Sequence, residues 1–202
     1  TAEYTLKLKN YNGSYILAKN VELHSGSRCK LTLELSGYNT VTSQNYGLRL
    51  GYCDVLLTGD GNLTVKTTDN SSAFEASSLT VDLPSNRTLD ITATGTQSYG
   101  SSGIHAVSNF SLRSGTVKVD ITNTTGQSDC GAVGIEAGAV TVDGGSLKIV
   151  SSNPNENGTS WGIRGISKYN NEKNVWEYPA EVSFNDGLID IKAGVAADTL
   201  NA

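Results

Sequence analysis

The chain of 202 residues carries a formal net charge of −5, and only 17% of its residues are charged. This weakly charged, acidic composition argues against a nucleic-acid-binding surface. No apolar run is long enough to cross a bilayer, so we expect no membrane span. Methionine is absent, even from position 1, which predicts a processed fragment of a longer chain that could continue into neighbouring domains at both ends.

One phrase of alternating apolar residues recurs along the chain. It has three couples, each made of two apolar residues around one middle residue, and a turn separates the second couple from the third. The clearest copy lies in GIEAGAVTVDGGSLKIV at 134–150, and its couples are Ile135/Ala137, Val140/Val142 and Leu147/Ile149. This period-2 alternation predicts short strands with one buried face, and no segment has the apolar stripe of a helix.

Six copies follow one another, and they span 15–33, 47–65, 73–91, 103–119, 134–149 and 162–191. The first copy is the weakest, with Val21 and Leu23 as its second couple and Leu31 and Leu33 as its third. Residues 5–8 resemble the tail of a still earlier copy. Consecutive copies start 26 to 32 residues apart, which is typical of solenoids and other repeat folds.

The repeat predicts an all-β fold, a single-stranded, right-handed parallel β-helix of about five to six rungs with three short strands each. We expect one β-helix domain over residues 1–202. A lone copy has too few inward apolar side chains to fold, so the copies must stack. An antiparallel sandwich also has short alternating strands, but it does not predict one phrase repeated six times. Helix-linked parallel sheets would need helical segments between the strands.

Alternation assigns the middle residue of each couple to the surface. In the first couples these residues are Leu17, Arg49, Glu75, His105, Glu136 and Arg164. Because stacked strands lie about 4.8 Å apart, these six side chains should form one column in which most charges alternate in sign. The column is either a ladder of opposite charges that sets the register or a polar groove that grips a ligand.

The last copy contains an insertion at about residues 166–180, between its first and second couples. The insertion carries Tyr169, Trp176 and Tyr178, and Trp161 lies just before the same copy. Long loops on a rigid scaffold often carry function, and these aromatic rings could stack on sugars. Alternatively, the insertion is a hairpin that packs its own aromatic rings against the coil or covers the end of the stack.

The three cysteines are Cys29, Cys53 and Cys130, and the chain has only two histidines. Without a CxxC spacing, a zinc site is not expected. The odd number argues against a disulfide framework. We therefore expect separate, buried or half-buried cysteines in preference to a Cys29–Cys53 bridge.

The sequence does not favour catalysis. Glu75 and Glu136 would lie about 10 Å apart, two rungs along the column, which is marginal for the paired carboxylates of an inverting glycosidase. No Ser-His-Asp or Cys-His arrangement is supported by spacing, and no aspartate cluster lies beside the arginines as a calcium-assisted lyase would need. A polysaccharide lyase or hydrolase is accordingly the least favoured function.

The segments LTLELSGYNTVTSQNYGLRL, VLLTGDGNLTVKT and GIEAGAVTVDGGSLKIV resemble bacterial secreted right-handed β-helix proteins of the carbohydrate-binding, pectin-binding-like surface type. The likeness covers about residues 15–192. It implies an extracellular or cell-surface location and non-catalytic binding of acidic or plant polysaccharide, sometimes with calcium. The sequence has no aspartate cluster that would bind calcium. We therefore expect no cofactor, and calcium is the one alternative that the resemblance implies.

Two functional hypotheses follow. In the first, a secreted module binds polysaccharide: Arg49, His105 and Arg164 meet its carboxylates or hydroxyls, and Trp161, Trp176 and Tyr178 stack on its rings. In the second, the coil is a structural adhesin or spacer that presents loops to a cell-surface protein.

Overall fold

The computed structural model describes residues 2–18, 28–69, 72–96, 101–124, 131–155, 158–171 and 173–195. Within these ranges there is no helix. The chain winds in about five turns, and most turns place strands in two parallel sheets. The parallel β-helix predicted from the repeat is therefore confirmed.

The strands are numbered along the chain. Over the described residues, the large sheet contains β1 (Glu3–Lys9), β3 (Ile16–Leu17), β4 (Cys29–Ser36), β6 (Leu48–Gly59), β8 (Ser72–Asp82), β10 (Ser101–Ser114), β12 (Ala132–Val142), β14 (Ser160–Arg164) and β17 (Glu181–Phe184). The small sheet contains β2 (Asn12–Gly13), β5 (Tyr38–Ser43), β7 (Asn62–Thr68), β9 (Thr88–Gly95), β11 (Thr116–Asn123), β13 (Ser146–Asn153) and β18 (Leu188–Val195). The two sheets face each other across the core.

We call each copy of the repeat a rung and number the rungs by the middle residue of the first couple: Leu17 in rung 1, Arg49 in rung 2, Glu75 in rung 3, His105 in rung 4, Glu136 in rung 5 and Arg164 in rung 6. In rungs 2 to 5 the first and second couples lie on one long strand of the large sheet. The pairing register shifts at the bend between them, for example between Leu50 and Asp54 in rung 2. The ladder is interrupted at this corner and resumes within the same strand.

A left-handed glycine marks most corners between the large and the small sheet. Gly59 in rung 2 has a φ of +105°, and Gly115, Gly145 and Gly187 occupy the equivalent corners of rungs 4, 5 and 6. A β-carbon at Gly59 would lie 2.2 Å from the carbonyl oxygen of Leu35 in the rung below. Both the backbone conformation and the close stacking of corners therefore require glycine here.

The core consists of the inward residues of the couples, stacked on their equivalents in the neighbouring rungs. Leu48, Phe74, Ile104 and Ile135 form one such stack in the large sheet, and all four are fully buried. Leu63, Leu89, Val117 and Leu147 form another in the small sheet. Each rung therefore covers the apolar atoms of its neighbours, as the repeat predicted.

The sequence prediction was wrong about the register of the first copy. Leu31 and Leu33 pair with Val55 and Leu57, so they form the second couple of rung 1, not the third. Residues 5–8 likewise occupy a second-couple position, below residues 32–35. The predicted second couple, Val21 and Leu23, lies outside the described residues.

The true third couple of rung 1 is hidden in the sequence because one inward position is polar. Asn39 takes the place of an apolar residue and is buried. Its amide nitrogen donates to the carbonyl oxygens of Ser36 and Asn62, and its side-chain oxygen accepts from the backbone N–H of Tyr11. Three hydrogen bonds thus satisfy an asparagine inside an apolar stack.

The expectation of separate cysteines was also wrong for two of them. Cys29 and Cys53 occupy paired positions of β4 and β6, with their Cα atoms 4.6 Å apart, and they form a disulfide. The spacing between neighbouring rungs falls within the range that a disulfide can span. Both cysteines are buried, as expected. Cys130 lies outside the described residues.

The insertion in rung 6 contains a short antiparallel hairpin, formed by β15 (Lys168–Asn170) and β16 (Val175–Glu177). Lys173 and Asn170 both contact the Glu177 carboxylate across the hairpin. After the hairpin the chain rejoins the large sheet at β17, which pairs with β12.

Candidate functional site

The outward column predicted for the first couples is confirmed in its register. Paired positions on neighbouring strands run in the order Leu17, Arg49, Glu75, His105, Glu136 and Arg164. The five polar members form two groups of contacts, one around Arg49 and one around Glu136. The role of the column in ligand binding stays a prediction.

Arg49 and Glu75 form an ion pair near one end of the column. The Arg49 Nε lies 3.3 Å from Glu75 Oε2, and the Arg49 guanidinium lies 4.5 Å from the centroid of the Tyr46 ring. The side chain of Arg49 is 51% exposed and that of Glu75 is 25% exposed. This pair is therefore neutral as a unit and open to solvent.

Glu136 is the centre of the second group. Its Oε1 accepts a hydrogen bond from Arg164 Nη2 at 2.8 Å, and its Oε2 lies 3.0 Å from His105 Nδ1 and accepts from Ser102 Oγ at 3.1 Å. Only 12% of the Glu136 side chain is exposed. Burial acts to raise the pKa of Glu136, but the hydrogen bond with His105 and the positive charge of Arg164 outweigh it, so the pKa lies below its ordinary value of 4.5.

Two aromatic rings contact Arg164. Its guanidinium carbon lies 4.7 Å from the centroid of the Trp161 ring and 5.0 Å from that of Tyr178. The Arg164 side chain is only 10% exposed, and its buried Nε has no hydrogen-bond partner in the described structure. With one edge on Glu136 and aromatic rings beside it, Arg164 holds Glu136 and the insertion in place and presents little surface to a ligand.

A four-residue sequence motif marks both clusters, and the pattern of apolar couples does not reveal it. An aromatic residue, a glycine, an aliphatic residue and an arginine occur as YGLR at 46–49 and as WGIR at 161–164. In both places the arginine packs on the aromatic ring three residues before it and contacts a glutamate of the adjacent rung. The same device thus appears at both ends of the charged column.

Exposed tyrosines lie beside the column around Arg49. Two adjoining depressions, of about 480 and 310 Å³, share Leu17 and Arg49. We call them together the Arg49 groove; it is lined by Tyr15, Leu17, Ala18, Ser43, Asn45, Tyr46, Arg49, Gly51, Tyr52, Glu75 and Val107. Tyr52 is 70% exposed, and Tyr15 is also exposed. Sequence reasoning missed Tyr15, Tyr46 and Tyr52 because none of them lies within an apolar couple.

A second cleft, of about 450 Å³, lies beside Arg164 in rung 6. Trp161 and Tyr178 line it together with apolar residues such as Ile163 and Phe184. Its only charged lining residue among those described is Arg164, which is already bound to Glu136. This cleft is therefore mainly apolar.

A third depression, of about 490 Å³, lies over the second couples near the other end of the large sheet. Tyr4 is the one aromatic residue among its described lining residues, and the ion pair of Lys30 with Glu3, at 3.0 Å, lies along it. It lacks the group of exposed rings found in the Arg49 groove.

The aromatic residues predicted to bind sugars from the insertion lie in two different places. Tyr178 reaches Arg164 and so ties the insertion to the column. Tyr169 and Trp176 occupy paired backbone positions in the hairpin, and their part in binding stays a prediction. Trp161 is brought to the same cluster as Tyr178, whereas Arg49 and Glu75 lie in rungs 2 and 3, at the other end of the column.

Over the described ranges, no three or more histidine, cysteine, aspartate or glutamate side chains converge as metal ligands. The calcium expectation therefore rests on the resemblance alone.

Comparison with protein-family models, with curated proteins and with solved structures found no match. The described residues contain no helix long and apolar enough to span a membrane.

Proposed function

We propose that this protein is a non-catalytic, extracellular module that binds polysaccharide in the Arg49 groove. The observation that carries the proposal is the exposure of Tyr52 and Tyr15, which line two adjoining depressions that share Arg49. A tyrosine ring offers an apolar face to the C–H groups of a sugar and a hydroxyl to its polar edge. A rigid stack of strands keeps these rings at fixed spacing, which limits the entropy lost on binding.

Two further features support the proposal. The buried disulfide between Cys29 and Cys53 is of a kind that persists in oxidising compartments such as the cell exterior. The two glutamates of the column, which the sequence offered as a pair of carboxylates, already have partners: Glu136 binds three side chains, and Glu75 pairs with Arg49. These contacts favour binding over catalysis.

Affinity gel electrophoresis with a panel of soluble polysaccharides tests the proposal. At least one polymer should retard the protein, and Tyr52→Ala should weaken that retardation about three- to tenfold, as expected for losing one aromatic contact. Tyr38→Ala is the matched control, because Tyr38 is 77% exposed but lies outside the groove. Migration unchanged by every polymer would contradict the proposal, and release of reducing ends would contradict its non-catalytic part.

A second candidate is a structural adhesin or spacer that binds a protein at the cell surface. The observation that favours it is that the column satisfies its own charges, as a purely structural ladder would. Under this alternative, a negative glycan screen would accompany capture of a surface protein. No polysaccharide would then retard either the wild-type protein or Tyr52→Ala.

A further inference from the structure

The Arg49 groove has a charge balance that bears on which polysaccharide it takes. Within the described part of the chain, Arg49 and Glu75 are its only charged lining residues, and they neutralise each other at 3.3 Å. The remaining lining residues are aromatic, aliphatic or uncharged polar residues. Among the described lining residues, no uncompensated positive charge is therefore offered to an acidic sugar.

A uronic-acid polymer would meet two unfavourable effects there. Its carboxylate would share Arg49 with Glu75, whose Oε2 already lies 3.3 Å from the arginine Nε. Binding would thus place a second negative charge beside the partly buried Glu75. The whole chain also carries a net charge of −5, which repels polyanions at long range. A neutral sugar meets neither effect, since its hydroxyls can hydrogen-bond to both members of the ion pair.

The groove also has a direction and a length. Its lining extends from Leu17 in rung 1 to Val107 in rung 4, along the axis on which the rungs stack. Three rung spacings of about 4.8 Å make it roughly 14 Å long. A pyranose ring with its glycosidic linkage is about as long as one rung spacing of ~4.8 Å. The groove therefore suits about three or four sugar units laid along the column.

Resting on the proposed function, we infer that the ligand is a neutral glycan that lies across the rungs, with a sugar face on Tyr52. Tyr15 lines the adjoining depression, on the other side of Leu17 and Arg49. The hydroxyls of the glycan bond to the Arg49–Glu75 pair. This departs from the acidic polysaccharide that the resemblance implied.

The experiment compares neutral and acidic probes on the intact chain. Galactomannan, mixed-linkage β-glucan and linear arabinan are the neutral probes, and polygalacturonate and alginate are the acidic ones, each in affinity gels at 20 mM and 300 mM salt. We expect a neutral polymer to retard the protein, with less than a twofold change between the two salt concentrations. Acidic polymers should retard it at least tenfold less. With oligosaccharides cut from the binding polymer, affinity should rise up to about four units and then level off.

The outcomes separate the two claims. Strong retardation by polygalacturonate or alginate that is lost at high salt would overturn the neutral-ligand inference and leave the binding function standing. Silence on all five polymers would overturn both. Neutral binding that is unaffected by Tyr52→Ala, in a variant with wild-type thermal unfolding, would move the ligand out of the Arg49 groove and so also overturn the inference. Tyr38→Ala should match wild type on every probe.

Discussion

Replacing Glu136 by glutamine should destabilise the coil far more than the same change at Glu75, in the same column. Arg164 and Glu136 are 10% and 12% exposed, so Glu136→Gln leaves a nearly buried guanidinium without its carboxylate. Removing one partner of a buried ion pair costs about 3–5 kcal/mol, and the amide oxygen of glutamine recovers about 1 kcal/mol by accepting from Arg164. We therefore expect a loss of about 2–4 kcal/mol for Glu136→Gln.

Glu75→Gln is the matched control because it lies two rungs away in the same column. Its partner Arg49 is 51% exposed, and exposed ion pairs contribute about 0.2–1 kcal/mol. In a domain of this size, each kcal/mol lowers the melting temperature by about 2–4 °C. Thermal unfolding followed by circular dichroism should therefore separate the two variants, with a drop of about 4–16 °C for Glu136→Gln and less than about 4 °C for Glu75→Gln. Equal drops would refute the idea that burial decides the strength of these pairs.

Three further predictions concern pH, the disulfide and the corners. Folding lowers the pKa of Glu136 below 4.5. The Glu136 carboxylate therefore stabilises the fold above pH 4.5, and this stabilisation is lost as the pH falls through the pKa of the folded state. The difference in urea midpoint between wild type and Glu136→Gln should accordingly shrink as the pH is lowered through this range. The disulfide closes a sequence separation of 24 residues, so wild type should lose about 3 kcal/mol in reductant, and a Cys29→Ala/Cys53→Ala variant should be insensitive to reductant. Gly59→Ala should lose more than about 1 kcal/mol, because its φ of +105° disfavours alanine and a β-carbon would lie 2.2 Å from the Leu35 carbonyl oxygen; an unchanged urea midpoint would contradict this.

Local pattern was sufficient to predict the architecture. Alternation with period 2 determines which residues of a strand face the core, and a repeat of 26 to 32 residues determines how often they return. The column from Leu17 to Arg164 could be written down on this basis, and its register is as predicted. The rule failed in rung 1, where Asn39 takes an apolar position and moved the assignment of Leu31 and Leu33 by one couple. That error also concealed the stacking of Cys29 on Cys53.

The contacts of the column were decided only by the tertiary structure. Sequence order places His105 between Glu75 and Glu136, but its Nδ1 bonds to Glu136, and Glu75 bonds to Arg49. Alternation makes Arg49 and Arg164 equivalent, yet Tyr178 returns from the insertion to cover Arg164, while Arg49 stays open. The strand period specifies on which side of the sheet a residue lies, whereas exposure and partner choice depend on side chains from distant rungs and loops. For that reason the groove beside Arg49 could not be identified before the rungs were stacked.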